Sequence, residues 1–279
     1  MPAIDSYSVT AKYYDGAYAA KQDLVDLPFY LDLAEQTAGP ILEVACGTGR
    51  VLLPIARKGI EIHGVDNSLP MLKILKKHLA REPQEVRDRV KLHEGDMRDF
   101  RLGTQYPLVI IPFRPMQHMH TVEDQVNALT SAAAHLNEAG ILAFDVFYPK
   151  FDLINTKIGE EVLEFEWSPG PDSAEVVRRY FKKDSVDKIQ QIFCFNFIYR
   201  TFRAGELIAE EMEAFKLSYF TYPHLRALFQ LAGLEPVAEY GSFAKAPLDN
   251  SSEEMIFLLR KDRLSGFASA LDVPAVIVE

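Results

Sequence analysis

Hydrophobic residues in the first half of the chain fall into two alternating patterns. Short apolar runs predict buried strands over residues 40–44, 60–65, 90–92, 108–111 and 141–147. Between these runs, apolar positions with helical spacing predict helices over residues 48–58, 69–79 and 123–136. Strands that alternate with helices in this way are typical of a parallel sheet covered on both faces.

The pattern changes after Pro149. Four strand-like stretches follow one another without a helix, which predicts an antiparallel sheet: residues 161–167, 176–183, 189–202 and 207–220. A helix ended by Gly233 and strands over 236–243 and 254–260 then restore the first pattern. The sequence therefore predicts an α/β fold, a Rossmann-like, doubly wound, seven-stranded, mostly parallel sheet with an antiparallel β insertion after strand five. The predicted core is residues 1–156 and 221–261, with N-terminal lid helices in 1–36; the insertion is 157–220, and 262–279 is a tail.

The composition narrows the class of protein. The 279 residues are 48% hydrophobic, which suffices for a sizeable core, and their net charge of −10 disfavours nucleic acid as a partner, because duplex binding needs a cationic surface. No apolar stretch approaches the ~20 residues that cross a bilayer, and the N-terminus lacks the pattern of a signal peptide. The two cysteines, Cys46 and Cys194, form no CxxC motif. We therefore expect a cytoplasmic protein with neither nucleic acid nor membrane as a partner.

The strongest chemical signal is the stretch Leu42-Glu43-Val44-Ala45-Cys46-Gly47-Thr48-Gly49-Arg50, which follows the first strand. Two close glycines permit a sharp turn and let a ligand approach the backbone. The third glycine of a dinucleotide-binding motif would fall at Leu52, which disfavours a dehydrogenase. Asp66, at the end of the second strand, is placed to accept hydrogen bonds from ribose hydroxyls. In a third loop, Gly95-Asp96-Met97-Arg98, a carboxylate can accept from an adenine amino group.

Together these three loops resemble the motifs of class I methyltransferases that depend on S-adenosylmethionine (SAM). The insertion and the stretch from Phe220-Thr221-Tyr222-Pro223 to Leu231-Ala232-Gly233-Leu234 resemble a bacterial small-molecule subgroup related to amino-sugar N,N-dimethyltransferases and glycine N-methyltransferases. The resemblance implies SAM as cofactor, S-adenosylhomocysteine (SAH) as its product, and methyl transfer to a small-molecule acceptor, with nitrogen favoured over oxygen or carbon. We expect a monomer or a homodimer. The resemblance implies cofactor contacts from Tyr14, Glu43, Ala45, Cys46, Gly47, Gly49, Arg50, Asp66, Asn67, Met71, Gly95, Asp96, Met97, Pro112 and Phe113.

Residues that handle the acceptor are harder to separate from structural ones. His118, after the fourth strand, is a candidate general base, and a structural bond to a loop carbonyl is the alternative. The candidates to orient the acceptor are Tyr18, Arg114, Arg178, Tyr180, Tyr199 and Arg200. For each of them, a solvated or salt-bridged role is the alternative. Asp145 lacks companion acids, so no metal site is predicted. Two other functions stay open: an NAD(P)-dependent Rossmann oxidoreductase, and a SAM-binding protein without catalysis.

Aromatic residues mark two further segments. Phe193, Phe195, Phe197 and Tyr199 alternate onto one face of a strand, and we favour packing over a role in the wall of a substrate pocket. Tyr14 and Tyr18 share a face if their segment is helical. The resemblance implies that this segment is a lid in which a tyrosine reaches the cofactor or the acceptor, and Tyr14 is our candidate. Because the insertion leaves the carboxyl end of strand five, where such sheets bind ligands, we expect it to cover the acceptor site.

Overall fold

A seven-stranded sheet forms the centre of the computed structural model, which describes residues 7–21, 25–151, 154, 156–170 and 172–262. Its strands are β1 (Ile41–Val44), β2 (Ile62–Asp66), β3 (Val90–Glu94), β4 (Tyr106–Ile111), β5 (Leu136–Phe147), β10 (Leu234–Tyr240) and β11 (Glu254–Lys261). They lie in the order β10-β11-β5-β4-β1-β2-β3. Strands β1 to β5 are parallel, and β11 runs antiparallel to both β5 and β10. The order reverses between β1 and β4, which confirms the predicted doubly wound, mostly parallel fold.

Helices cover both faces of this sheet. On one face lie α2 (Asp26–Glu35), α3 (Leu52–Arg57), α4 (Leu69–Leu79) and α5 (Gln84–Arg87), and on the other lie α6 (Val122–Ala134) and α7 (Tyr222–Leu231). Polar residues set where two of them begin: the Ser68 side chain accepts from the Met71 N–H at 3.4 Å, and Thr121 Oγ1 accepts from the Asp124 N–H at 3.0 Å. The helices bury their apolar faces in two cores that the sheet separates.

A second, four-stranded sheet lies within the predicted insertion. Its strands, β6 (Glu161–Trp167), β7 (Glu175–Asp187), β8 (Ile192–Arg203) and β9 (Glu206–Ser218), pair antiparallel in sequence order. Successive side chains alternate between the two faces of such a sheet. One face carries most of the phenylalanines of the insertion, and the other carries salt-bridged residues.

The N-terminal helix α1 (Thr10–Ala20) connects the insertion to the core. The carboxylate of Glu213 in β9 accepts from the N–H groups of Ser8, Val9 and Thr10, at 2.7, 3.3 and 2.6 Å, and so satisfies donors at the start of the helix. Toward the core, Asp15 accepts a 2.8 Å hydrogen bond from the Thr48 hydroxyl. The first six residues of the predicted lid, residues 22–24, and the predicted tail beyond residue 262 lie outside the described residues.

Among the boundaries that differ from those expected, two have a clear physical cause. The predicted helix over 48–58 begins only at Leu52, because Gly49 has a left-handed backbone, φ +87°, that a helix cannot contain. Strand β5 begins at Leu136, within the predicted helix over 123–136, because Leu136 pairs with Tyr106 of β4. Both boundaries depend on contacts with other strands or loops. Local hydrophobic spacing does not report such contacts, so it cannot predict these boundaries.

Candidate functional site

A cavity of about 590 Å³ lies between the carboxyl ends of the parallel strands and the inner face of the insertion. The three loops that the sequence singled out supply its core side. From these loops Ala45, Gly47, Asp66, Asn67, Met71, Gly95, Asp96 and Met97 line the cavity. The insertion and α1 supply the opposite side. Candidate cofactor and acceptor residues therefore face one space.

The glycine-rich loop reaches the cavity through its first glycine. Gly47 has φ +54°, and a Cβ atom added there would meet nothing within 4 Å, so its backbone is open to a ligand. Gly49 has a different role: a Cβ atom there would lie 2.3 Å from Leu75 Cδ1, and Gly49 does not line the cavity. The second glycine thus allows the loop to pack on α4.

Asp66 lies at the end of β2, where its carboxylate is held by two backbone donors. Oδ2 accepts from the Gly47 N–H and Oδ1 from the Ser68 N–H, each at 2.7 Å. Burial raises the pKa of Asp66, and these two hydrogen bonds oppose the rise. An ionised carboxylate can accept about four hydrogen bonds, so Asp66 can accept two more from a ligand in the cavity.

Asp96 is already engaged by its neighbours. Its carboxylate accepts from the Arg98 backbone N–H and from the Arg98 guanidinium at 2.7 to 2.9 Å, and from Asn67 Nδ2 at 3.3 Å. The bond to the Arg98 side chain is the main cause of a lowered pKa for Asp96. A ligand amino group would have to replace one of these donors, whereas Met97 lines the cavity beside Asp96 and offers an apolar surface.

Three predicted cofactor contacts lie behind the cavity wall. Glu43 is buried in β1, and its Oε2 has no hydrogen-bond partner among the described residues, so burial raises its pKa well above the usual range. Arg50 forms a two-point ion pair with Asp26 of α2, at 2.9 and 2.5 Å, and its guanidinium stacks 4.5 Å from the Phe113 ring. Cys46 is buried against Gly64. Arg50 and Cys46 therefore support the loops rather than line the cavity.

The loop after β4 is conformationally strained where it meets the cavity. Phe113 and Arg114 both have positive φ, 69° and 70°, which is unusual outside glycine. Asp145 holds this loop, because its Oδ1 accepts from the Phe113 N–H at 2.8 Å and from the Tyr30 hydroxyl at 2.5 Å. Burial raises the pKa of Asp145 to about 7. Arg114 lines the cavity but is paired with Glu254.

His118 lines the cavity at the end of the 3₁₀ helix Pro115–His118. The Tyr7 hydroxyl lies 2.9 Å from His118 Nε2, within hydrogen-bond distance. The neighbouring Gln117 anchors the turn by donating to the Ser218 carbonyl at 2.8 Å. Tyr7 therefore joins His118 as a polar group of the site, although it was not among the candidate residues predicted from the sequence.

Helix α1 places Tyr14 and Tyr18 on one face, as their spacing predicted, and both residues line the cavity. Their ring centroids are 4.5 Å apart, and Tyr18 meets the Phe113 ring edge-on at 5.0 Å. Burial raises the pKa of Tyr14, so its hydroxyl stays protonated and can donate a hydrogen bond. Tyr13 points away and stacks on Tyr199 at 4.3 Å.

Four candidates for orienting the acceptor do not reach the cavity. Arg178 and Arg200 lie on the outer face of the insertion, where they pair with Glu166 and with Glu161 and Glu210. Tyr180, beneath the Arg200 guanidinium, is on the same face. Tyr199 is fully buried and lies 3.2 Å from Thr10 Oγ1. Strand alternation is the physical reason, since the register assigns these residues to the outer face or to the packing against α1.

Among the described residues of the insertion, the arginine that lines the cavity is Arg179, which was not among the candidates predicted from the sequence. Its guanidinium lies over the rings of Phe197, Phe165 and Tyr18, at 4.2, 4.5 and 5.3 Å. Its Nε is 3.0 Å from Glu164 Oε2, and its buried Nη1 has no hydrogen-bond partner among the described residues. Because adjacent arginines occupy opposite faces of a strand, the position of Phe181, two residues on, was a signal that could have identified Arg179.

The aromatic row of β8 divides between the two roles considered for it. Tyr199 packs on α1, as favoured, but Phe193, Phe195 and Phe197 line the cavity. In the described part of the chain, no helix is long and apolar enough to span a membrane. Across the same residues, no group of three or more potential metal ligands occurs.

Comparisons with known proteins agree with this architecture. Residues 41–140 match the family described as a methyltransferase domain. A dTDP-3-amino-3,4,6-trideoxy-alpha-D-glucopyranose N,N-dimethyltransferase of Streptomyces venezuelae is 32% identical over 152 residues, 53% of this chain and 60% of that enzyme. The cypemycin N-terminal methyltransferase of a Streptomyces species is 26% identical, over 79% of this chain and 82% of the relative. Among solved structures, the CcbJ methyltransferase of Streptomyces caelestis superposes with a TM-score of 0.72 and 24% identity, over 90% of this chain and 95% of that one.

Proposed function

We propose that the chain is a SAM-dependent methyltransferase that modifies a small-molecule amine, because residues 41–140 match a methyltransferase domain and the chain shares the fold of the CcbJ methyltransferase. A single observation carries the proposal: the loops suited to SAM and the inner face of the insertion line one cavity. The relatives named above act, by their names, on an amino sugar and on the N-terminus of cypemycin, which supports nitrogen as the accepting atom.

The residues present fit SAM. Asp66 has acceptor capacity for both ribose hydroxyls, the backbone at Gly47 is open, and the orphaned Oε2 of Glu43, buried behind the cavity wall, suits an ammonium group reached through water. When bound, SAM supplies a methyl group that its sulfonium has already activated. Pro112 and Phe113 would border that group, with Tyr14 and Tyr18 covering it from α1.

The chain's own contribution is chiefly positional. Holding an acceptor lone pair in line with a reacting bond can contribute on the order of 7–11 kcal/mol. An ammonium acceptor must also lose a proton before it can attack. His118, hydrogen-bonded to Tyr7, is placed to take that proton, and general-base help is typically worth ~10²–10⁴-fold.

An oxidoreductase is the less suitable alternative. Leu52 stands where a dinucleotide-binding motif has its third glycine, and a Cβ atom on Gly64 of β2 would lie 2.5 Å from Leu52 Cδ1. The close packing that glycine provides on the helix side of such motifs is here provided by glycine on the strand side. A leucine therefore stands at the position where the dinucleotide-binding motif has glycine.

Calorimetric titration with SAM, SAH and NADH tests the proposal. We expect SAM and SAH to bind, NADH not to bind, and Asp66→Ala to abolish binding, with the exposed Asp88→Ala as a matched control. NADH binding without a SAM signal would overturn the assignment.

His118→Gln should keep SAH affinity and lower the rate of SAH release by ~10²-fold or more. SAM binding without SAH release across a broad panel of amines would instead indicate a non-catalytic SAM-binding protein.

A further inference from the structure

Phenylalanine side chains form most of the insertion's surface toward the cavity. Phe181 of β7, Phe193, Phe195 and Phe197 of β8 and Phe215 of β9 all line it, as does Phe147 at the end of β5. Such a surface offers neither hydrogen-bond donors nor acceptors. A sugar ring placed against it would lose water from its hydroxyls without new partners, which is unfavourable.

These rings form a continuous path from the candidate base. The Tyr7 ring lies 5.7 Å from His118 and 5.2 Å from Phe215, and Phe215 stacks 5.4 Å from Phe195. Phe195 contacts Phe181 at 5.0 Å and Phe193 at 5.6 Å. Spacings of this kind are those of packed aromatic pairs. A molecule whose reactive group lies at His118 would therefore extend along aromatic faces.

The path leads to a second cavity of about 350 Å³. The two cavities share Arg114, Phe147, Phe181 and Phe193 in their walls. Phe147 and Phe193, 5.9 Å apart, lie between them. The acceptor side of the site therefore has space beyond the reacting centre, and aromatic residues border the entrance to that space.

We propose that the acceptor is an amine with an aromatic or polycyclic apolar body, which lies along the phenylalanine wall and extends toward the second cavity. This inference rests on the proposed methyltransferase function and names the acceptor class of the same site. It distinguishes the chain from its N,N-dimethyltransferase relative, whose name gives an amino sugar carried on dTDP as the substrate. Two charged pairs border the aromatic path: Arg179 pairs with Glu164 beside the wall, and Arg114 pairs with Glu254 where the two cavities meet.

Calorimetry on the SAH-loaded protein tests the proposal. The probes are tryptamine and 4-phenylbutylamine, with glucosamine and dTDP-glucose as the sugar arm. We expect the two arylalkylamines to bind and the sugar compounds not to bind. With SAM in place of SAH, the arylalkylamines should also stimulate SAH release. Binding confined to the sugar arm, or no binding of either arylalkylamine at millimolar concentration, would overturn the inference.

Variants of the wall locate the binding. Phe193→Ala and Phe181→Leu change half-buried rings and should weaken arylalkylamine binding, about tenfold for a loss of roughly 50 Å² of apolar contact. Phe202→Ala is the matched control, since Phe202 lies in the same strand but contacts Arg178 outside the cavity. Unchanged affinity in both wall variants, with SAH affinity intact, would contradict the proposal. Failure of the wild-type protein to bind SAM or SAH would instead count against the proposed function.

Discussion

At the residue scale, one carboxylate shows how burial couples the site to stability. Asp145 ionises near pH 4 in an unfolded chain but only at a pKa of about 7 in the folded protein. The folded state therefore retains a proton that the unfolded state releases, so this group's contribution to stability falls as pH rises from about 4 to about 7. A shift of about three units corresponds to roughly 4 kcal/mol at most.

Asp145→Asn should remove this dependence, because asparagine keeps an oxygen for the Phe113 N–H and the Tyr30 hydroxyl but cannot ionise. We expect the free energy of unfolding of the variant, relative to wild type, to rise by up to about 4 kcal/mol between pH 4 and pH 8. Urea unfolding at a series of pH values measures it. Asp88→Asn, on an exposed residue, is the control, and parallel curves for wild type and Asp145→Asn would contradict the argument.

The Tyr14 hydroxyl is the second residue whose role can be isolated. Tyr14→Phe should weaken SAM affinity by about 0.5–1.5 kcal/mol, the worth of one neutral hydrogen bond, because Tyr14 lines the cavity and stays protonated. Tyr13→Phe is a suitable control, since Tyr13 faces Tyr199 and Glu211 instead. Equal affinities for wild type and Tyr14→Phe, by calorimetry, would show that Tyr14 is only a packing residue.

At this scale the sequence predicts which residue types belong to the site better than it predicts which way their side chains point. The motif residues Gly47, Asp66 and Asp96 line the cavity because strand ends and short loops leave them few alternatives. Arg178 and Arg179 are chemically equivalent in the sequence, and only the alternation of side chains along β7, which puts Arg179 on the same face as Phe181, distinguishes them. Which face of β7 meets the cavity depends on how the insertion packs on the core, and no local pattern specifies that packing.

At the scale of elements, the loop from β1 to α3 contains two glycines with separable roles. Gly49→Ala should destabilise the protein by about 1–3 kcal/mol, because φ is +87° and the new Cβ atom would overlap Leu75. Gly47→Ala has open space for its Cβ atom, but that space is the cavity, so we expect a smaller loss of stability and a large loss of SAM affinity. Thermal unfolding measures the stability of both variants, and calorimetry measures their affinity for SAM. A larger loss of SAM affinity in Gly49→Ala, or a larger loss of stability in Gly47→Ala, would refute this division of roles.

The same loop explains why helix boundaries were the weaker part of the sequence analysis. The apolar positions of this helix begin at Val51, and nothing in the apolar pattern of Thr48, Gly49 and Arg50 marks where the loop ends and the helix starts. The turn instead places the Gly47 N–H on Asp66, a contact nineteen residues away. The fold class was predictable because it needs only the alternation of elements, whereas the site's fine structure depends on contacts between them.

At the scale of the whole molecule, α1 links the core to the insertion. Its start is held by Glu213 of the insertion, and its middle by Thr48 of the glycine-rich loop, through Asp15. Tyr14, between these attachments, and Tyr18, one helical turn beyond Tyr14, line the cavity. A ligand held by the core loops should therefore order the lid and, through it, the edge of the insertion, which is the arrangement expected of a lid that excludes water.

Hydrogen exchange followed by mass spectrometry tests this coupling. SAH should slow amide exchange in residues 45–50 and 66–68, in α1, and in β9 around Glu213. Glu213→Gln should leave the loop protection in place and reduce protection of α1, because an amide can accept on one side only and loses one pair of the donors from Ser8, Val9 and Thr10. Glu211→Gln, in the same strand but partly exposed and bound to Lys12, should have the smaller effect. Protection by SAH confined to the core loops in the wild-type protein would mean that lid and insertion respond independently of the cofactor site.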